Sequence, residues 1–211
     1  MNYPSIFNDV LGPVMRGPSS SHCAASLRIG RMALDLMDGD IDSVIVQYDP
    51  NGSLATTHKS QGSDMGLFGG LLGWEADDVR LPDYLKGVEK AGLDIQIKIE
   101  DIQADHPNTY KLTLFNEKEM REMTAISLGG GMIEVVQIDG CPVQMQGDFQ
   151  ETLIYVNDAT QVVSYLKASM EYDEILLPEG RENLIQVKSQ NPIPKGMLSE
   201  LSQLSSVRFV K

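Results

Sequence analysis

Cysteine is almost missing from this chain: only Cys23 and Cys141 occur in 211 residues. Their separation matches no metal-ligand spacing, and two thiolates cannot complete a four-cysteine site. The chain by itself is therefore not expected to hold a [4Fe–4S] cluster, and no metal site is expected in it. Basic residues are also few, 17 Lys and Arg against 30 Asp and Glu, for a formal net charge of −13. Nucleic acids and anionic membrane surfaces are bound through basic patches, so neither is an expected partner. No apolar run approaches the about 20 residues that cross a bilayer. The start, Met1-Asn2-Tyr3-Pro4, has no basic n-region and no apolar h-region, so no signal peptide is expected and a cytoplasmic location is the default. Internal repeats and low-complexity tracts are not evident. The length suits one large domain, or a medium and a small one.

What the chain does have is a dense first motif, Gly17-Pro18-Ser19-Ser20-Ser21-His22. It precedes an apolar-periodic run (Leu27, Ile29, Met32, Ala33, Leu36, Met37) with the spacing of one buried helix face. A serine there is a natural N-cap, its side-chain oxygen accepting from a free backbone N–H. Free N–H groups at a helix start also attract anions. Three serines exceed what a cap requires, so the surplus hydroxyls and His22 are candidates to hold a carboxylate and move protons. The alternative is a capped turn carrying a surface histidine. Cys23 is open between a packing thiol on the helix face and a thiolate favoured by the helix N-terminus.

The remaining pattern alternates helices and strands. The first helix spans about 21–38 and is followed by a strand at 43–48 and a turn at Asp49-Pro50-Asn51-Gly52. Ser53 to His58 reads as a short strand closing that hairpin. Ser60 or Ser63 is expected to cap a helix through Leu72, and Pro82 to open another that Gly92 stops. Strands follow at 93–100, 110–115, 121–128 and 132–138, the last two joined by Gly129, Gly130 and Gly131. Cys141 reads as part of a turn. A boundary is expected at 146–150, after which the order is βαββαβ, the ferredoxin-like order. The expected class is mixed α/β (α+β): a mixed-sheet domain with helices over 1–148, then a separable small domain over 151–211.

Two further clusters bear on chemistry: Thr57-His58-Lys59-Ser60-Gln61-Gly62-Ser63-Asp64 and His106-Pro107-Asn108-Thr109. With Gly17–His22 and the later Gly129-Gly130-Gly131-Met132-Ile133-Glu134, they resemble, in order and spacing over about 4–148, the β subunit of bacterial iron–sulfur-dependent L-serine dehydratases. In that family the stretches read like GPSSSHTAG, THKGHGTD or TYKGHGTD, HPNT and GGG-IE. The resemblance implies elimination of water from L-serine, giving pyruvate and ammonia without pyridoxal phosphate. It implies a [4Fe–4S] cluster held by a partner α subunit, and an ACT-like module at the C-terminal end. Homodimerisation through that module is a further expectation.

Carried over position by position, the resemblance makes His22 and His106 the candidate catalytic residues. It makes Ser19, Ser20, Ser21, Lys59, Gln61, Asp64, Asn108 and Thr109 the candidate substrate-binding residues, for a small amino acid. Each has a plainer reading: Lys59 as a solvated charge, Asp64 as a complement to its helix dipole, the three glycines as a tight turn. Two departures stand out. The family's second-motif histidine is here Gln61, which hydrogen-bonds but takes no proton near neutral pH. That implies a changed substrate, a changed mechanism or lost activity, unless His58 partly substitutes. The turn Asn157-Asp158-Ala159-Thr160 also lacks the Pro-Gly usual in ACT modules, so the plainer reading of that module is a small domain that only packs or dimerises. A second reading of the chain keeps the serine pocket without the acid–base function: an amino-acid-binding regulatory subunit without catalysis.

Overall fold

A computed structural model of the chain describes residues 16–147, 149–156, 158–178 and 184–210. The Met1–Pro4 start, Asp148 of the expected boundary and Asn157 of the ACT-like turn lie outside the described residues.

Helix α1 spans Ser20–Leu36 and buries Ala25, Ile29, Met32, Ala33 and Leu36, the stripe its periodicity announces. Asp38 and Gly39 then reverse the chain with positive φ values of 53° and 81°. Strand β1 (Ser43–Tyr48) buries Val44, Val46 and Tyr48 on one face by strict alternation. After it come helices α2 (Leu54–Thr57), α3 (Ser63–Leu71) and α4 (Tyr84–Ala91), the last entered through a 3-10 turn at Leu81–Asp83. Strands β2 (Asp94–Ile99), β3 (Thr109–Phe115), β4 (Met120–Gly129), β5 (Met132–Ile138) and β6 (Cys141–Met145) complete a sheet in the order β2-β1-β3-β4-β5-β6. Only β1 and β2 pair in parallel, so the sheet is mixed.

One apolar core joins α1 and α3 to this sheet through residues including Ile29, Leu36, Leu67, Leu71, Val46, Leu112, Met123 and Val135. The two helices approach so closely that side chains are excluded at their crossing. A Cβ on Gly70 would fall on the Leu27 carbonyl, and one on Gly66 on the Cys23 carbonyl and the Ser26 hydroxyl.

Three local expectations are corrected. Ser53–His58 is not a strand: Leu54–Thr57 is a single helical turn. Both edges of β1 are already taken by β2 and β3, so no hairpin partner is needed there. The segment is tied instead to the 106–109 loop, the Ser53 amide donating to the Pro107 carbonyl at 2.9 Å. Neither Ser60 nor Ser63 caps α3; Gly62 takes the cap position in the left-handed region, φ 81°. Cys141 opens strand β6, with Cys141, Val143 and Met145 buried and Pro142 and Gln144 exposed. Pro142 is tolerated because β6 is an edge strand.

The second sheet contains β7 (Gln150–Val156), β8 (Glu174–Leu176), β9 (Leu184–Ser189) and β10 (Ser205–Val210), with α5 (Ala159–Ser169) and α6 (Lys195–Leu204). Its order, β10-β7-β9-β8, is antiparallel throughout, which for βαββαβ connectivity is the ferredoxin-like arrangement. Asp158 caps α5, its carboxylate accepting from the Thr160 amide at 2.9 Å. A separate apolar cluster sits under this sheet, with Ile154, Val162, Leu166, Ile185, Val187 and Leu201. Leu153 and Leu184 belong to the first core, so the two sheets meet through apolar contact.

Candidate functional site

The first motif folds as a sharp entry into α1. Ser19 occupies the N-cap position but makes no capping bond. Its hydroxyl instead lies 2.8 Å from His22 Nδ1, with Ser21 Oγ at 3.5 Å from Ser19 Oγ. The Ser19 hydroxyl thus pairs with His22 in place of the expected cap. His22, Ser19 and Ser21 are half-buried and Ser20 is exposed.

Cys23 turns inward. Its thiol donates to the Gly62 carbonyl at 3.0 Å, and burial pushes it up to about 11. Burial and the hydrogen bond it donates hold Cys23 as a packing thiol. This contact also fastens the first motif to the second. A Cβ on Gly62 would stand 2.6 Å from Cys23 Sγ and 2.9 Å from the Pro18 ring, so only glycine fits there.

In the second motif Lys59 and Ser60 are exposed, Gln61 is half-buried and Asp64 is buried. His58 Nδ1 lies 2.7 and 2.9 Å from the two Asp64 carboxylate oxygens. Burial raises the Asp64 carboxyl above the usual carboxylate range, and the His58 contact opposes that rise. The His58 ring packs against Tyr48 (centroids 5.2 Å apart), and Tyr48 meets Tyr110 edge-on at 5.5 Å. The Tyr48 hydroxyl and Gln61 Oε1 are buried without a hydrogen-bond partner, and the Ser63 hydroxyl meets Tyr110.

The third motif leads into β3. The Asn108 amide donates to His106 Nδ1 at 3.1 Å, and the Thr109 hydroxyl donates to the His106 carbonyl at 2.7 Å. Asn108 Oδ1 accepts from the Ser53 hydroxyl, and its carbonyl accepts from the Ser127 amide at 3.0 Å. Asp49, mostly buried at the end of β1, accepts from the amides of Asn51, Ile102 and Ala104. The Asn51 amide holds its carboxyl below the usual range, against the opposing effect of burial, with the Ala104 and Ile102 amides adding to the lowering.

All three motifs are linked at one end of the six-stranded sheet. Cys23 joins the first to the second, Tyr48 and Tyr110 join the second to β3, and Ser53 joins α2 to Asn108. The Gly129–Gly131 segment makes the expected tight turn between β4 and β5, and Arg28 on α1 donates to the Gly131 carbonyl at 3.1 Å. Tyr48, Tyr110, Ser26 and Ser53 carry no sequence motif, and apolar alternation marks the two tyrosines only as core. Among the described residues, no three His, Cys, Asp or Glu side chains stand together as metal ligands. With the Cys23 thiol hydrogen-bonded and protonated, and Cys141 buried in β6, the described residues do not fit an iron–sulfur cluster. No described helix is long and apolar enough to cross a membrane.

No protein-family model matches the chain. Among curated proteins it is 35% identical over 215 residues to the "Probable L-serine dehydratase, beta chain" of Bacillus subtilis (strain 168), covering 98% of this chain and 96% of that one. It is 30% identical over 168 residues to the "L-serine dehydratase, beta chain" of Peptoniphilus asaccharolyticus, covering 79% of this chain and 75% of that protein.

Proposed function

The chain belongs to the L-serine dehydratase β-chain family, and from that membership we propose that it works with a cluster-bearing α chain to eliminate water from a small β-hydroxy amino acid, L-serine first. The observation that supports this most is the meeting of three distant loops, each rich in groups that orient a carboxylate, an ammonium and a hydroxyl, at one end of the sheet.

In the reaction, the α-proton and the β-hydroxyl leave the substrate as water, and the resulting enamine hydrolyses to pyruvate and ammonia. The partner's [4Fe–4S] cluster, when bound, supplies Lewis-acid polarisation of the C–O bond. This chain's part is to bind, orient and move protons. The serine hydroxyls 19–21, Lys59, Asn108 and Thr109 have the donors that hold a carboxylate and hydroxyl, whereas Gln61 Oε1 is an acceptor suited to an ammonium and Asp64 acts through the ring of His58 that both its oxygens contact. His106 accepts a backbone N–H at Nδ1, so in its neutral ring the proton sits on Nε2, which then faces substrate as a donor. His22, paired with the Ser19 hydroxyl, is the second candidate for proton transfer.

Residues 1–148 are proposed as the catalytic unit and 151–211 as an ACT-like module, which also offers a surface for homodimerisation; the complex is placed in the cytoplasm. The test is anaerobic co-expression with the α chain and an assay of 2-oxo acid release over a panel of amino acids. The complex should contain iron and turn over serine or a close analogue, and the isolated chain should do neither. A stoichiometric four-iron cluster on the isolated chain would contradict this division of labour.

A further inference from the structure

A histidine whose Nδ1 is committed to a carboxylate is a different reagent from one whose Nδ1 accepts an amide. A carboxylate only accepts, so the His58 contact with both Asp64 oxygens places the proton on Nδ1 and the lone pair on Nε2. His106 is fixed in the opposite sense, its Nδ1 accepting from the Asn108 amide. The same end of the sheet therefore carries one ring that accepts at Nε2 and one that donates there.

The surroundings of His58 fit a working group. The pair is sequestered, with side-chain exposures of 12% for His58 and 3% for Asp64. The ring is held against Tyr48, and the Asp64 amide donates back to the His58 carbonyl at 3.1 Å, so the loop is closed on itself. The buried tyrosine hydroxyl at position 48 and the amide oxygen at 61 stand without hydrogen-bond partners, on the elements that hold the pair, while the Ser63 hydroxyl meets Tyr110. Buried polar atoms are nearly always satisfied, so two that are not point to a polar ligand. Position 61 itself carries no titratable group.

We propose that His58, oriented by Asp64, is the base that takes the substrate α-proton at its Nε2. The proposal rests on the dehydratase reading above. In the step, the α-proton passes reversibly to Nε2, leaving the C–H electron pair on Cα as a carbanion, and that pair then becomes the Cα–Cβ double bond as the Cβ–O bond breaks. His58 returns the proton to the departing oxygen, which leaves as water and regenerates the neutral ring. Asp64 is the positioning residue: it keeps the lone pair on Nε2 and stabilises the transient imidazolium. Charged and titratable neighbours of the pair are Tyr48 on β1, Tyr110 on β3, Tyr84 on α4 and Lys59 on the same loop.

The experiment uses the anaerobically purified complex and compares wild type with His58→Gln, His58→Gly and Asp64→Asn. Glutamine keeps a donor for Asp64 and so preserves the loop, which the melting temperature checks. His58→Gln should lower kcat about 10²–10⁴-fold with little change in KM. It should also abolish exchange of the substrate α-hydrogen with deuterated solvent. Added imidazole should restore turnover to His58→Gly, which a purely structural residue would not allow. Asp64→Asn should lower kcat about 10–100-fold, as lost orienting partners do. Wild-type kcat in His58→Gln, or a slowed variant whose α-hydrogen exchange is intact, would overturn the assignment. A wild-type complex releasing no 2-oxo acid from any small β-hydroxy amino acid overturns the dehydratase reading itself, and this inference with it.

Discussion

Cys23 and Gly62 show how single side chains hold the site together. The Cys23 thiol, up at about 11 and bonded to the Gly62 carbonyl, should resist thiol-specific reagents in the native chain and react only on unfolding. Rapid labelling of Cys23 under native conditions would contradict this. Gly62→Ala combines a positive φ with a methyl placed on the Cys23 sulfur and should destabilise the chain by about 1–3 kcal/mol in urea titration. Asp49 gives a pH dependence of known sign. Its folded carboxyl sits below the usual range because the Asn51 amide donates to it, so its stabilisation is present above the unfolded value near about pH 4. That stabilisation is lost as pH falls through the folded value. Melting temperature measured against pH should lose this component in Asp49→Asn. At this scale the sequence supplied the candidate residues through its motifs, and their roles are the proposal made above. Their partners were not legible: nothing local says that Ser19 abandons its cap for His22, or that His58 faces Asp64. Those contacts depend on side-chain direction, which spacing does not encode.

The α1–α3 pair, as an element, is the scaffold of two of the three loops. Its crossing is set by backbone approach at Gly66 and Gly70, so Gly70→Val should cost at the upper end of the about 1–3 kcal/mol typical of overpacking. The same change should shift the His58–Asp64 loop, which begins α3. Loss of stability without any change in proton signals from the three histidines would show that the crossing and the loop are independent. Strongly periodic elements were legible: α1, β1 and β5 stand within two residues of their expected bounds. The misread elements are those decided by tertiary context. Leu54–Thr57 became a helical turn because β1 had no free edge, and β6 was hidden by its proline and its shortness. Cys141, Val143 and Met145 alternate cleanly, a signal that the turn residues Asp139 and Gly140 obscured.

The whole molecule is two sheets joined by more than a linker. Asp139 at the β5–β6 turn accepts from Arg121 at 2.7 Å and from the Tyr155 hydroxyl of β7 at 2.9 Å, while the Arg121 guanidinium lies 4.8 Å over the Tyr155 ring. The Gln186 amide of β9 donates to the Gln144 carbonyl of β6 at 3.1 Å. Because Leu153 and Leu184 also enter the first core, unfolding followed by Trp74 fluorescence and by far-ultraviolet circular dichroism should coincide. Tyr155→Phe, which removes a hydrogen bond to a charged group, should lower stability by about 1.5 kcal/mol. Separate transitions in the wild type would show instead that the sheets fold independently. The βαββαβ order of the second sheet was legible from periodicity and turn residues, whereas the contacts between the sheets were not, since they pair residues far apart in the chain. The central claim concerns the end of the large sheet where the three loops meet. Its most direct test is kcat/KM for 2-oxo acid release from L-serine by the complex with the α chain, measured for wild type beside His106→Ala. The account predicts turnover in the wild type and a loss of about 10²–10⁴-fold in the variant. An unchanged rate in His106→Ala, or no release by the wild-type complex, would contradict it.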